Sequence, residues 1–311
     1  MSTSSIPARR RGCRYFGNLL IGFVFALIVV YNCVVPVFIS YKLSRMRSPV
    51  GNIDRSKLSF PIEDVSFTTS DGIKISAWYS PSQNRGAIIL VHGSTGNRTA
   101  TLLHARLLTE AGYGVLMLDL RGNGDSGGEF FTMGWDSDLD LRAAVDYLQN
   151  RPDVDPDKIG ALGLSMGAEV VLQSAAGDDR IKAIVSDGAG FRTPGDILAV
   201  EDNSKWFQLP FIWMQFTSLS LMTNTPMAAS LIDLIPKIAP RPLLLIYGTQ
   251  GNIGERLLTE VYGRAAGQAS EVWRLDGMSH IAGVIVRADD YREKVVNFFT
   301  QALLNQVLLT D

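Results

Sequence analysis

The chain has 311 residues, a formal net charge of −2 and 46% apolar residues, a length and core content that suit one large α/β domain. Charged residues make up only 19%, below the roughly 25% usual for soluble domains. Basic residues do not cluster beyond the N-terminus, which removes the electrostatic basis for nucleic-acid binding.

The charge deficit has a local origin. Residues 1–16 read as a basic arm containing Arg9, Arg10, Arg11 and Arg14, suited to anionic lipid headgroups. From Tyr15 to Tyr41 there is no Asp, Glu, Lys, Arg or His. The run LLIGFVFALIVVYNCVVPVFI would span roughly 32 Å as a helix at about 1.5 Å per residue, enough to cross a bilayer core. Residues 17–40 are therefore expected to be a transmembrane helix. A cleaved signal peptide would have a shorter apolar stretch and a small-x-small cleavage site, and Pro36-Val37-Phe38-Ile39 is a poor one. Four arginines precede the span, and Lys42, Arg45 and Arg47 follow it. The small excess leans towards an inside N-terminus and an extracytoplasmic domain. Cys13 and Cys33 both lie in or beside the span, so the following domain can form no internal disulfide.

Residues 41–60, polar and carrying Ser48-Pro49 and Gly51-Asn52, read as a linker. From Pro61 to about 305 the pattern is that of one domain. Val65–Thr69 and Ile73–Tyr79 alternate around Asp71-Gly72, a hairpin signal. Short apolar runs follow at Ala87–Val91, Val115–Leu118, Ile159–Leu164, Ile181–Val185, Leu243–Tyr247 and Glu271–Leu275. Helix-like stretches lie near 98–111, 136–150, 166–176, 254–266 and 288–304. Continuous apolar strands alternating with helices predict a mostly parallel, doubly wound sheet covered on both faces. An insertion at about 191–240, containing WFQLPFIWMQFTSLSLM, reads as a helical cap supplying an apolar pocket, since so long a structureless loop would be unusual.

Gly163-Leu164-Ser165-Met166-Gly167 follows the strand IGALGL and precedes the helix-like AEVVLQSAA. A serine on a sharp strand-to-helix turn is the setting of a nucleophile elbow, in which the glycines permit close backbone approach. With VHGSTGN at 91–97, DLRGNGDSGG at 119–128 and DGMSH at 276–280, the chain resembles the α/β-hydrolase family over roughly residues 60–305. The resemblance implies that fold, a serine nucleophile at Ser165, and ester or amide cleavage by acyl transfer.

Only three histidines exist. The match places His92 in the oxyanion loop, where it orients the turn. His104 falls in the helical pattern HARLLTEAG and reads as a surface or half-buried residue. His280, after the last strand and the Gly277 turn, is the expected general base. The amides of Met166 and Ser94 are the expected oxyanion donors. Asp119 and Arg121 are expected to hold the turn after the fourth strand. In family order the acid follows the strand after the cap, commonly three residues beyond the turn glycine; here that residue is Gly251. Glu255, one helical turn on, and Asp187, after the preceding strand, remain as alternatives for the acid, and Glu255 also suits the first turn of a helix on dipole grounds alone.

Three scattered histidines and no HExxH-type spacing offer no metal site, and no glycine-rich nucleotide motif calls for a cofactor. The sequence thus predicts a membrane-anchored serine hydrolase acting on a small-molecule or peptide acyl substrate, an esterase first and a peptidase second. The alternative is a catalytically silent binding module of the same fold at the membrane. The oligomeric state is not legible.

Overall fold

The computed structural model describes residues 9–94 and 96–305. Residues 1–8 of the basic arm lie outside the described residues, as do the side chains of Arg9, Arg10, Arg11 and Arg14. The chain starts with α1 (Arg9–Val29), a π-helical turn (Val30–Val34) and α2 (Val35–Leu43). Pro36 sits in the first turn of α2. Its missing N–H and bulky ring disturb the bonding to the preceding turn, which accounts for the local π geometry. The apolar stretch Tyr15–Leu43 is long enough to cross a membrane. From Tyr15 to Val30 its side chains are almost wholly exposed, whereas from Pro36 onward it begins to bury residues against the domain.

The segment read as a linker runs against the domain. Phe131 N–H donates to the Ser44 carbonyl at 3.0 Å, and Gly124 N–H to that of Ser48 at 3.1 Å. Asn97 Nδ2 donates to the carbonyls of Ser48 and Pro49.

The domain then runs β1 (Glu63–Thr68), β2 (Lys74–Ser80), β3 (Ala87–Val91), α3 (Leu102–Glu110), β4 (Gly114–Leu118), α4 (Asp138–Gln149), β5 (Ile159–Leu164), α5 (Met166–Gly177) and β6 (Ala183–Asp187). The cap follows as α6 (Pro194–Leu198), α7 (Lys205–Thr223) and α8 (Leu231–Leu234). The chain closes with β7 (Leu243–Gly248), α9 (Ile253–Ala266), β8 (Ser270–Leu275), α10 (Gly283–Val286) and α11 (Ala288–Phe299). Among the described residues the strands form one eight-stranded sheet, ordered β1-β2-β4-β3-β5-β6-β7-β8. β2 pairs antiparallel with β1 and β4, and every pairing from β4 through β8 is parallel. This is the α/β-hydrolase fold.

Alternation along each strand builds two cores. Ile89 and Val91 of β3 pack on one face with Leu141 of α4 and Val170 of α5. Ile88 and Leu90 pack on the other with Leu108 of α3 and Phe299 of α11. Successive strand side chains point to opposite faces, so a sheet covered on both sides needs apolar residues at every position. β6 starts two residues later than its apolar run, because register with β5 pairs Gly160 with Ala183 and Leu164 with Asp187. Asp187 is therefore the last residue of the strand rather than the residue after it.

Sheet order reverses around β3, which lies between β4 and β5. At such a switch point the loops leaving adjacent strand ends diverge and leave a crevice. The loop that starts at His92 and Ser165 sit at those two ends.

Candidate active site

Ser165 joins β5 to α5 with φ 55° and ψ −122°, a conformation disfavoured for a non-glycine residue and worth on the order of 1–3 kcal/mol of strain. Its amide donates to the Asp187 carbonyl at 2.8 Å, and its own carbonyl accepts from Ala168 N–H at 2.8 Å. The flanking glycines are steric requirements. A Cβ on Gly167 would strike the carbonyls of Val91 and His92, and one on Gly163 would strike the backbone of Gly167. The helix thus approaches β3 closely and the hydroxyl projects from the tip of the turn.

His280 Nε2 lies 2.8 Å from Ser165 Oγ. Its Nδ1 contacts Glu255 Oε2. Glu255 is fully buried, and a carboxylate oxygen can only accept here, so Nδ1–H donates to Glu255 and Nε2 accepts from the serine hydroxyl. In that tautomer the approach of Asn252 Nδ2 to Nδ1 at 3.2 Å sets two donors side by side and is not a hydrogen bond. The other Glu255 oxygen accepts from Gly248 N–H at 2.8 Å.

Local sequence explains why the carboxylate sits here. Asn252 is the N-cap of α9: its side-chain oxygen accepts from Glu255 N–H at 2.9 Å, and Glu255 Oε2 accepts from Asn252 N–H at 3.3 Å. This reciprocal capping box fixes the helix start and swings the Glu255 side chain back over the turn. Gly251 is where the space is needed, since a Cβ there would collide with the Glu255 carboxyl group. The Asn-x-x-Glu spacing was visible in the sequence, and Asn252 is the site residue that sequence reasoning passed over.

Asp187 is just as buried but turned elsewhere. Its carboxyl accepts from Tyr291 Oη at 2.8 Å, and burial pushes it up to about 7, with the Glu255 carboxylate adding to the rise. The structure therefore brings Ser165, His280 and Glu255 together and leaves Asp187 outside that hydrogen-bonded chain.

Met166 opens α5 and is buried. Ser94 lies in the loop after β3, which passes close enough that a Cβ on Gly93 would sit 3.2 Å from Ser165 Cβ. His92 pins that loop: Nδ1–H donates to the Gly93 carbonyl at 2.8 Å, and Nε2 accepts from Leu120 N–H at 3.1 Å. Complete burial lowers its pKa to about 4, which keeps the ring neutral in this bridging role. Asp119 accepts from the amides of Arg98 (2.7 Å) and Asp125 (2.8 Å). Arg121 binds Asp140 at 2.8 Å and Asp71 at 2.8 Å. Both residues hold the turn after β4.

His104 corrects the sequence expectation. It is 2% exposed rather than at the surface, edge-on to Tyr291 with centroids 5.5 Å apart. Among the described residues neither ring nitrogen has a hydrogen-bond partner, and burial lowers its pKa to about 4. Helix α3 presents this position to α11, a packing that periodicity within α3 alone does not reveal.

A second buried pair lies behind the serine turn. Glu169 on α5 accepts from Gly190 N–H at 3.1 Å and sits 4.0 Å from Arg192. Burial pushes Glu169 up to about 8. The pair ties α5 to the start of the cap; its only sequence signal is an acid inside the apolar run MGAEVVL.

Relatives agree with this architecture. The chain is 27% identical over 259 residues to the uncharacterised protein YfhR of Escherichia coli O157:H7, covering 78% of this chain and 81% of that one. It is 29% identical over 234 residues to the putative hydrolase YtaP of Bacillus subtilis, covering 67% and 72%. Among solved structures it is similar to the Pyrococcus furiosus esterase Pf2001, with a TM-score of 0.66, 26% identity, and coverage of 82% of this chain and 97% of that one. Residues 71–236 match the model of the X-Pro dipeptidyl-peptidase (S15) family. That match spans more than half of the sequence, and this chain belongs to the S15 family of peptidase- and esterase-type hydrolases with the α/β-hydrolase fold.

Proposed function

We propose that the protein is a membrane-anchored serine hydrolase that cleaves acyl esters through an acyl-enzyme on Ser165. The observation that carries the reading is the imidazole of His280 set between the Ser165 hydroxyl and the Glu255 carboxylate. As Oγ attacks the substrate carbonyl, its proton passes to His280 Nε2, a transfer worth about 10²–10⁴-fold in rate. The C–O bond then breaks, His280 returns the proton to the departing alkoxide, and water repeats the sequence to release the acid. Glu255 holds Nδ1–H and so keeps Nε2 facing the serine. The amides of Met166 and Ser94 are the donors for the developing oxyanion, with the positive end of α5 behind the first.

Ester chemistry is favoured by the similarity to the Pyrococcus furiosus esterase Pf2001. Peptide cleavage is the second reading, and the family match favours it. A module used only for binding has no reason to keep Ser165 strained and hydrogen-bonded to an oriented histidine. We read α1 and α2 as an uncleaved anchor, with the catalytic domain on the extracytoplasmic side because the four arginines before the span outnumber Lys42, Arg45 and Arg47 after it.

A fluorophosphonate probe tests the reading. The folded full-length protein is expected to label, and Ser165→Ala to lose the label; an unlabelled wild type contradicts it. p-Nitrophenyl esters set against X-Pro p-nitroanilides then separate the two substrate classes, with faster ester turnover expected.

A further inference from the structure

The anchor and the cap meet. The Tyr31 and Phe211 rings pack in a tilted arrangement with centroids 5.1 Å apart, and Ser40 Oγ donates to the Gln215 carbonyl at 2.6 Å. α2 therefore lies along α7, with the Phe211 end of α7 towards α1. Before that contact, the helix from Tyr15 through the end of α1 to Val30 stands clear of the domain. Those residues span only about 24 Å at about 1.5 Å per residue, roughly 6 Å short of a bilayer core of about 30 Å. The bilayer boundary then falls within the segment that carries α7, and α7 enters the interface beside it.

The chemistry of α7 suits that position. From Trp206 to Thr223 it holds no charged residue. Its inner row Leu209, Ile212, Phe216 and Leu219 is buried with Trp135. The row Phe207, Phe211, Gln215 follows the i, i+4 spacing along the side facing the anchor. Phe207, one turn nearer α1 than Phe211, is 84% exposed. Trp206 (61%) and Trp213 (50%) are exposed as well. A helix with Lys205 over the Trp206 ring at its start, no further charge, and exposed tryptophans beside a spanning segment matches interfacial anchoring.

The same end of α7 borders a cleft lined by the apolar Phe191, Val200, Ile253 and Leu257 and by the charged Asp202 and Lys205. Gly254, next to Glu255 at the start of α9, lies in its wall. Ile253 and Leu257 continue the apolar surface outward. The cleft thus lies between the N-terminal end of α7 and the start of α9, with Gly254 the neighbour in sequence of Glu255.

We propose that Trp206, Phe207 and Trp213 seat the cap in the bilayer interface, and that the enzyme draws a membrane-resident acyl ester into the cleft between α7 and α9. The proposal rests on the hydrolase and anchor readings above and names their substrate class. Water is the co-reactant, and the products are a fatty acid and the lipid alcohol.

The test uses the full chain in phosphatidylcholine vesicles carrying monooleoylglycerol, with soluble p-nitrophenyl acetate as the second substrate. Phe207→Glu is expected to lower monooleoylglycerol turnover tenfold or more while changing p-nitrophenyl acetate turnover less than twofold, which also shows that the variant folds. Brominated lipids are expected to quench wild-type tryptophan fluorescence, and the Trp206→Phe/Trp213→Phe double variant to lose most of that quenching. Equal loss on both substrates, no change on either, or no quenching overturns the proposal. A Phe207→Glu variant with a smaller particle size in detergent and wild-type quenching gives the face to a second copy and also overturns it. The underlying readings fail differently. Without p-nitrophenyl acetate turnover the hydrolase reading falls; release of the protein from vesicles by alkaline washing defeats the anchor reading.

Discussion

At the end of β7 a buried carboxylate accepts from two backbone amides and an imidazole; at the end of β6 another, equally buried, accepts from a phenol. Asp187 is the last residue of β6 and Glu255 lies in the first turn of α9, just after β7. The difference lies in what the following chain does. After β7 the chain caps a helix, and the capping box folds the carboxylate back under His280. After β6 the backbone turns at Gly188, whose φ is 78°, and the Asp187 side chain remains within the packing against α11. Burial and nearness therefore do not make an orienting acid. The donors around the carboxylate decide the role.

The most severe way to break the β7 arrangement is at its far end. Ser165→Ala is expected to reduce kcat on a soluble ester by about 10⁶-fold, as expected when the nucleophile of such a unit is removed. Stopped assays with long incubation measure the residue of activity. Filling the vacant acid position sharpens the comparison next. Gly251→Asp places a Cβ where the Glu255 carboxyl group lies, and the resulting shift of the relay is expected to lower kcat by about 10²-fold, although the variant restores the more common sequence pattern. A steady-state assay that finds wild-type or higher activity would show that the space is not needed.

At the β6 end the expected effect is on stability. The Asp187 carboxyl is raised from 3.8 to about 7, so the folded protein takes up that proton more readily than the unfolded chain. Its contribution is fully present below about 4 and is lost as pH rises to about 7. Asp187→Asn removes this dependence, so its melting temperature relative to wild type is expected to be higher at pH 8 than at pH 5 in paired thermal melts. His104 gives the smallest effect, with the opposite sign. Its pKa falls from 6.5 to about 4, so its contribution is present above about 6.5 and lost as pH drops towards 4. His104→Phe is expected to gain melting temperature relative to wild type as pH falls from 8 to 4.5 in paired thermal melts, with unchanged kcat at pH 8.

The sequence showed most of the fold because covered parallel strands leave continuous apolar runs, and β3 to β7 each lie on or overlap one, while the edge strand β8 carries Glu271 and Arg274. It pointed to Ser165 and His280, whose Oγ and Nε2 lie 2.8 Å apart, because a GxSxG turn and a late strand-end histidine are local patterns. It did not settle the acid, because a one-turn displacement changes which residue reaches the imidazole, and that depends on the backbone of the capping turn. The β6 boundary was misjudged because an apolar run marks burial, while pairing with β5 sets the register. Burial of His104 and the docking of residues 44–50 come from contacts between distant segments, for which no periodicity exists. The seating of α2 on α7 is of the same kind: each helix was visible, but their contact was not.

The central claim is that Glu255, and not Asp187, orients His280. The direct measurement is kcat of Glu255→Gln and Asp187→Asn on the same soluble ester at pH 8, with circular dichroism confirming that both are folded. The account predicts a loss of about 10⁴-fold for Glu255→Gln, the size seen when the orienting carboxylate of such a relay becomes an amide, and less than about threefold for Asp187→Asn. The reverse order, with Asp187→Asn the crippled enzyme, would contradict it.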